Sequence, residues 1–514
     1  MSENLYSQST YKTSSSYIIP ADFPDLDVIR VDDTYYMVST TMHFMSGCVI
    51  LRSHNLVDWE HAAYVYDELE ASDGETLRDN RGVYGSGMWA ACLRHHNGKF
   101  YVSFVANDLH KTFLFTADKI EGPWKKSEIE GFYHDMSILF DDDGRVYCVS
   151  GNMNITLTEL ESDLSAPKKN GVQKVIIRDN PEEVALGYEG SHIYKINGKY
   201  YVFLIHILKG KMRSEACFVS DKIDGEYTGG DVLCSDLAHW NSGTAQGGIV
   251  QAPDGEWFSV VFQDHGALGR IPVLIPVKFV DNFPVFSNGV APESVTVQDL
   301  RPDYVYKPLY SDDFTAPAWQ WNHIPNKSLI ELESARFCVK TDKTCINITQ
   351  AANTLTQRTF TEDCAGSVTL SASEICDGDI AGLGALEGEY GFIGVKNEGG
   401  KYFLIAAEHK NDYSPWTRGI PDTSAPNIIE QKEISFENAR SIKLRLVFSL
   451  HYQAENVQCQ YFDEEKGAFA NFGKPISLRY TLDQFVGVRF ALFCYSTKQA
   501  GAKATFTNFK LELL

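Results

Sequence analysis

The chain has no CxxC pair, and its eleven cysteines are scattered from Cys48 to Cys494. That argues against a zinc site built on paired cysteines. An odd number of thiols in so large a chain does not read as a disulfide framework either. Reduced thiols point to a cytoplasmic setting. No run of roughly 18 apolar residues occurs, so no segment reads as a membrane-spanning helix. Cations are scarce: 46 Lys and Arg stand against 68 Asp and Glu, for a net charge of −22. Nucleic acid needs a basic face and is disfavoured as a partner; neutral or cationic small molecules suit the balance. Helical periodicity is sparse too. The segment Met1–Tyr17 is rich in Ser and Thr and lacks the apolar stretch of a secretory signal. Within it, Glu3–Ser9 is close to a tag-removal protease site. Residues 1–17 are therefore expected to be disordered or left over from a tag.

What the sequence does have is length and a repeat. Its 514 residues exceed the roughly 250–300 at which one core stops growing, so two domains are expected. Five short segments share one pattern, a turn followed by an aromatic-rich strand. They are Asp32-Asp33-Thr34-Tyr35-Tyr36, Asn97-Gly98-Lys99-Phe100-Tyr101, Asp143-Gly144-Arg145-Val146-Tyr147, Asn197-Gly198-Lys199-Tyr200-Tyr201 and Asp254-Gly255-Glu256-Trp257-Phe258. Asn-Gly and Asp-Gly favour tight hairpins because the turn needs positive φ. A short apolar strand precedes each turn. A spacing of about 50 residues with several strands per unit reads as a propeller blade. The chain is thus expected to be all-β, with a five-bladed β-propeller over residues 18–305. Residues 306–514 alternate in polarity, as in Ile442–Phe448, and read as a β-sandwich.

Counting back from the last aromatic of each unit finds the chemistry. Twelve residues before Tyr101, Tyr147, Tyr201 and Phe258 stand Trp89, Asp135, Glu189 and Gln246; eleven before Tyr36 stands Asp25. Inner strands of a propeller start at one mouth of the axial channel, so three carboxyls and an indole should meet there. Clustered like charges raise one another's pKa, and such clusters serve a metal or acid–base chemistry. A calcium site is the rival use of three acids. Glycoside hydrolysis needs one protonated and one ionised carboxyl, and an indole offers a flat apolar face to a sugar.

At these residues the chain resembles glycoside hydrolase family 43. Ala21–Val31 looks like the segment of the general base, with Asp25 in that place. His134-Asp135-Met136-Ser137 looks like the segment of an Asp that tunes and orients the acid. Tyr188-Glu189-Gly190-Ser191 looks like the general-acid segment, with Glu189 as the acid. Met88–Ala91 and Phe262–Arg270 resemble segments that place Trp89 and Arg270 in the sugar pocket; Gln246, His43 and Phe44 are further expected contacts. The C-terminal half, with Asn353–Arg358, is similar to the concanavalin-like sandwich of the longer β-xylosidase-type members. The resemblance implies an inverting, exo-acting enzyme that removes terminal xylose or arabinofuranose from hemicellulose oligosaccharides. Gln246 stands where many members carry a His near a central cation, so no metal is expected to be required, with a channel calcium as the alternative. A non-catalytic sugar-binding propeller and an arabinanase are the competing readings. A retaining fructosidase lacks its fingerprints here, and Gly85-Ser86-Gly87 lacks the spacing of a serine-hydrolase elbow.

Overall fold

The computed structural model describes residues 10–410, 422–481 and 484–514. Strands dominate it; the one α-helix among the described residues is Phe436–Arg440. Five four-stranded antiparallel sheets follow one another along the chain. Their inner strands are Asp27–Val31, Cys92–His96, Ser137–Phe140, Val184–Ile196 and Ala245–Gln251. These five strands pack side by side around one axis. A bridge from Leu26 to Gly247 closes the ring between the first blade and the fifth.

The hairpins explain the register. At Asn97-Gly98 and Asn197-Gly198 both residues take positive φ, 50° and 74° in one, 51° and 80° in the other. This is the two-residue turn that Asn-Gly favours. At the Asp-Gly turns only Gly144 and Gly255 do so, at 82° and 94°, and the loops are longer: Gly144 N–H donates to Asp141 O and Gly255 N–H to Ala252 O.

The segment expected to lack order, residues 1–17, contains a strand. Thr10–Ser15 pairs antiparallel with Ser294–Asp299, and Tyr17 bridges Val273. The alternation in Tyr11-Lys12-Thr13 suffices for an edge strand once a partner exists, and that partner lies nearly 300 residues away. Residues 1–9 lie outside the described residues.

The second half forms two packed sheets. One runs through Asp363–Glu374, Ile442–Ser449 and Lys503–Leu513; the other through Asp379–Leu386, Tyr390–Glu398 and Arg489–Ser496. Ile442–Ser449 alternates as its sequence predicts, with Ile442, Leu444, Leu446 and Phe448 buried and Lys443 exposed. The propeller contributes to this sandwich. Phe44–Met45 pairs with Trp321–Asn322 and forms the edge of the second sheet. Between Asp299 and Trp319 the chain lies along the first blade, where Tyr304 Oη donates to Glu60 and His54 N–H donates to Tyr306 Oη. One apolar cluster runs from Phe23 and Leu26 through Trp319 and Phe360 to Phe490, so the halves share a core.

Candidate active site

Where the inner strands begin, the chain makes tight left-handed steps. Asp25, Asp135 and Gln246 have φ of 53°, 48° and 66°. Such backbone is costly for residues with a Cβ and clusters at functional sites. In the fourth blade the matching step falls on Gly190, φ 65°, directly after Glu189. A Cβ at Gly190 would stand 2.7 Å from Ile205 Cγ2 and 2.9 Å from Gln246 Cγ, so only glycine fits.

These steps open a cavity of about 380 Å³ at one mouth of the channel. Asp25, Trp89, Asp135, Glu189, Gln246 and Arg270 line it, as do His134, Arg213, Leu186 and Phe485. Arg270 Nη1 donates to Asp25 Oδ1 at 2.7 Å. Burial pushes the Asp25 carboxyl up, and the Arg270 guanidinium pulls it back toward the ionised form. Asp135 Oδ2 accepts the Gly190 N–H at 3.1 Å, and its carbonyl accepts the Ser191 N–H at 3.2 Å. Asp135 thereby fixes the backbone that carries Glu189. Burial, with the charges of Glu189 and Asp25, pushes Asp135 up to about 7 against the pull of His134.

Glu189 Oε2 faces Asn152 Nδ2 at 2.5 Å and His134 Nε2 at 3.2 Å. Burial alone would lower the His134 imidazole; the charges of Asp135 and Glu189 outweigh it and raise the ring to about 9. Both donors sit on one carboxylate oxygen, which leaves Oε1 for a partner from outside. His134, Asp135 and Glu189 each offer an atom within 4.8 Å of the others, the one such cluster among the described residues. Calcium takes about six to eight oxygens, and this cluster offers two carboxyls and one ring nitrogen. The cluster is better matched to moving protons.

The walls are aromatic. The indole of Trp89 stands edge-on to His134, centroids 5.7 Å apart, and 6.2 Å from the ring of Phe485. Arg270 lies between Phe262 and Phe485, 4.9 and 4.0 Å from their centroids. Phe485 belongs to the sandwich, which thus closes one side of the cavity. Asp22 fixes this junction: its oxygens accept the N–H groups of Arg270, at 2.8 Å, and Gly487, at 3.0 Å.

Two expected contacts lie elsewhere. His43 is fully buried between Phe44, Tyr84 and His323, with ring centroids 4.2–4.8 Å away. Burial drives its pKa well down, so it is a neutral packing residue under the domain junction. Phe44 is covered by the guanidinium of Arg489, 3.4 Å from its centroid, and packs behind Trp89 and Phe485. The pairing of Phe44–Met45 with the sandwich turns both inward. Conversely, Asn152, Arg213 and Phe485 were not expected. His134 directly precedes Asp135 in sequence, which is a usable signal. Phe485 had none.

The channel mouth of this propeller gathers three carboxyls, a histidine and an aromatic wall, the kind of equipment that glycoside hydrolysis uses. The sequence model described as "Glycosyl hydrolases family 43" matches residues 15–284, and that of the "Beta xylosidase C-terminal Concanavalin A-like domain" matches residues 310–512. The chain belongs to glycoside hydrolase family 43. A beta-xylosidase of Formosa agariphila is 28% identical over 351 residues, 60% of this chain and 58% of that one. A non-reducing end alpha-L-arabinofuranosidase of Bacteroides ovatus is 27% identical over 365 residues, 66% of each chain. The solved structure of a "Bifunctional GH43-CE" of Bacteroides eggerthii superposes with a TM-score of 0.88 at 36% identity, over 98% of this chain and 64% of that one. The matches thus span about three fifths to two thirds of these proteins' lengths.

Proposed function

We propose that this protein is an exo-acting, inverting glycosidase that releases a terminal pentose, β-D-xylose or α-L-arabinofuranose, from hemicellulose oligosaccharides. One observation carries the reading: Asp25 and Glu189 share a cavity but have different partners. Asp25 is buried against a guanidinium, which favours the ionised form that a base needs. Glu189 keeps one oxygen held by Asn152 and His134 and the other free to face a leaving group.

In this reading a water molecule sits beside Asp25. As water attacks the anomeric carbon, Asp25 takes its proton, and Glu189 gives its own proton to the glycosidic oxygen as the C–O bond breaks. Attack from the face opposite the leaving group inverts the anomeric centre. Asp135 holds the Gly190 step and so aims Glu189. The wall of Trp89, Arg270 and Phe485 closes one side of the cavity, which favours terminal release. The names of the relatives, beta-xylosidase and alpha-L-arabinofuranosidase, support a pentose. The test is hydrolysis of nitrophenyl β-D-xylopyranoside, nitrophenyl α-L-arabinofuranoside and short xylo-oligosaccharides, with the first-formed anomer read by proton NMR. The expected product is a single pentose of inverted configuration. A retained anomer, or internal cleavage of the oligosaccharide, would reject the reading.

A further inference from the structure

Below the acids the propeller axis is filled by side chains. Arg94, on the second blade, donates through Nη1 to Asp27 Oδ2 of the first blade at 2.6 Å. Its Nε donates to Ile138 O at 2.8 Å and its Nη2 to Ser137 Oγ at 2.6 Å, both on the third blade. Ser137 Oγ in turn accepts the Ile193 N–H of the fourth blade, at 3.0 Å. The guanidinium lies 5.5 Å from the ring of Tyr194, whose hydroxyl accepts the Ile249 N–H of the fifth blade at 2.9 Å. One cation thus connects all five blades.

The same place does not suit a metal ion. Asp27 is fully buried, and both its oxygens are engaged: Oδ2 by Arg94 and the Leu93 N–H, Oδ1 by the Val28 N–H. His192 Nδ1 stands 3.3 Å from Oδ1. A Cβ built on Gly248 would lie 2.6 Å from Tyr194 Oη and 2.8 Å from Asp27 Oδ1, so space is exhausted. A divalent ion here would face a fixed guanidinium and one carboxylate, far from the six or more oxygens calcium takes, on the order of 6–8.

We propose that Arg94 is the propeller's own axial cation, a positioning residue that ties the blades together without a metal ion and holds the catalytic carboxyls in register. The hub sits immediately under the site. Asp27 follows Asp25 by two residues, Ser137 follows Asp135 by two, and His192 follows Glu189 by three. A shift of the hub therefore moves the acids relative to one another, and misplacement by about 1 Å can cost on the order of 100-fold in rate. Arg94 also borders a second cavity, at the opposite channel mouth, through which a small cation can reach it.

The experiment measures melting temperature, kcat and KM for the whole chain. In wild type, EDTA and added calcium should leave all three unchanged. Arg94→Ala should melt lower and lose about 100-fold in kcat with KM nearly kept, and millimolar guanidinium should restore part of both losses while methylammonium does not. Arg94→Lys, which keeps the charge, should melt higher than the similarly shaped Arg94→Met. Loss of wild-type stability in EDTA that calcium restores would show that a metal ion is needed to hold the blades and would overturn the proposal. So would a wild-type kcat in Arg94→Ala, or Arg94→Met equal to or better than Arg94→Lys. The kinetic arm rests on the proposed pentosidase reading; the melting arm does not, so inactivity on every pentoside with the melting pattern intact would reject that reading and keep the hub.

Discussion

Arg270 donates to Asp25 from within an aromatic sleeve, 2.7 Å from the carboxylate and 4.0 Å from the ring of a residue in the other domain, Phe485. The proposed base is thus drawn toward its ionised form by one blade, Arg270 being on the fifth, and shielded by the sandwich. Removing the guanidinium takes away the largest pull against burial. Arg270→Met should raise the Asp25 pKa further, because a close opposite charge is lost. A base works only when ionised, so the acidic limb of kcat/KM against pH should move to higher pH. An unmoved limb would separate Asp25 from the base role.

Phe485 tests the reach of the sandwich into the site. Phe485→Ala removes the ring that faces Trp89 and covers Arg270. An aromatic contact of this kind is worth roughly 0.5–1.5 kcal/mol beyond its buried area. The variant should lose about tenfold in kcat/KM on a nitrophenyl pentoside, mostly through KM, the 1.4 kcal/mol equivalent of one decade. Unchanged kinetics would make the sandwich a structural partner only.

His134 links pH to stability. Its imidazole is raised to about 9 in the fold, with burial opposing and Asp135 and Glu189 prevailing, against roughly 6.5 for an unfolded chain. A group raised on folding contributes its stability in full below the unfolded value and loses it as pH rises through the folded one. The melting temperature of wild type should therefore fall relative to His134→Gln between about pH 6.5 and 9. Parallel curves would show that the ring is not cationic in this pocket.

The repeat was legible because hairpins and aromatics carry local signals, but the uniform count of twelve hid a difference. The anchoring aromatics Tyr147 and Phe258 pair with Leu139 and Val250, four residues after Asp135 and Gln246; Tyr36 pairs with Ile29, likewise four after Asp25. Tyr101 and Tyr201 pair with Arg94 and Tyr194, five residues after Trp89 and Glu189. The second and fourth blades use the short Asn-Gly turn and add a residue above it, so the two changes cancel in sequence. Glu189 therefore stands one step higher than Asp25 and Asp135, with Gly190 at their level. That offset lets Asp135 bond the Gly190 N–H instead of facing Glu189 head-on. What stayed hidden depends on contacts between distant segments. Nothing near Phe485 marks it as a pocket residue, and nothing near Phe44 announces that Trp321–Asn322 will pair with it.

The central claim is that Glu189 protonates the leaving group and Asp25 activates water, and the direct measurement is kcat/KM of two variants on two substrates. An aryl pentoside with a good leaving group needs little protonation; a xylo-oligosaccharide needs it fully. Acid or base assistance contributes about 10²–10⁴-fold. Glu189→Gln should lose that much on the oligosaccharide and far less on the aryl substrate, while Asp25→Asn should lose it on both alike. If Asp25→Asn were spared on the activated substrate and Glu189→Gln were not, the two roles would be reversed and the account contradicted.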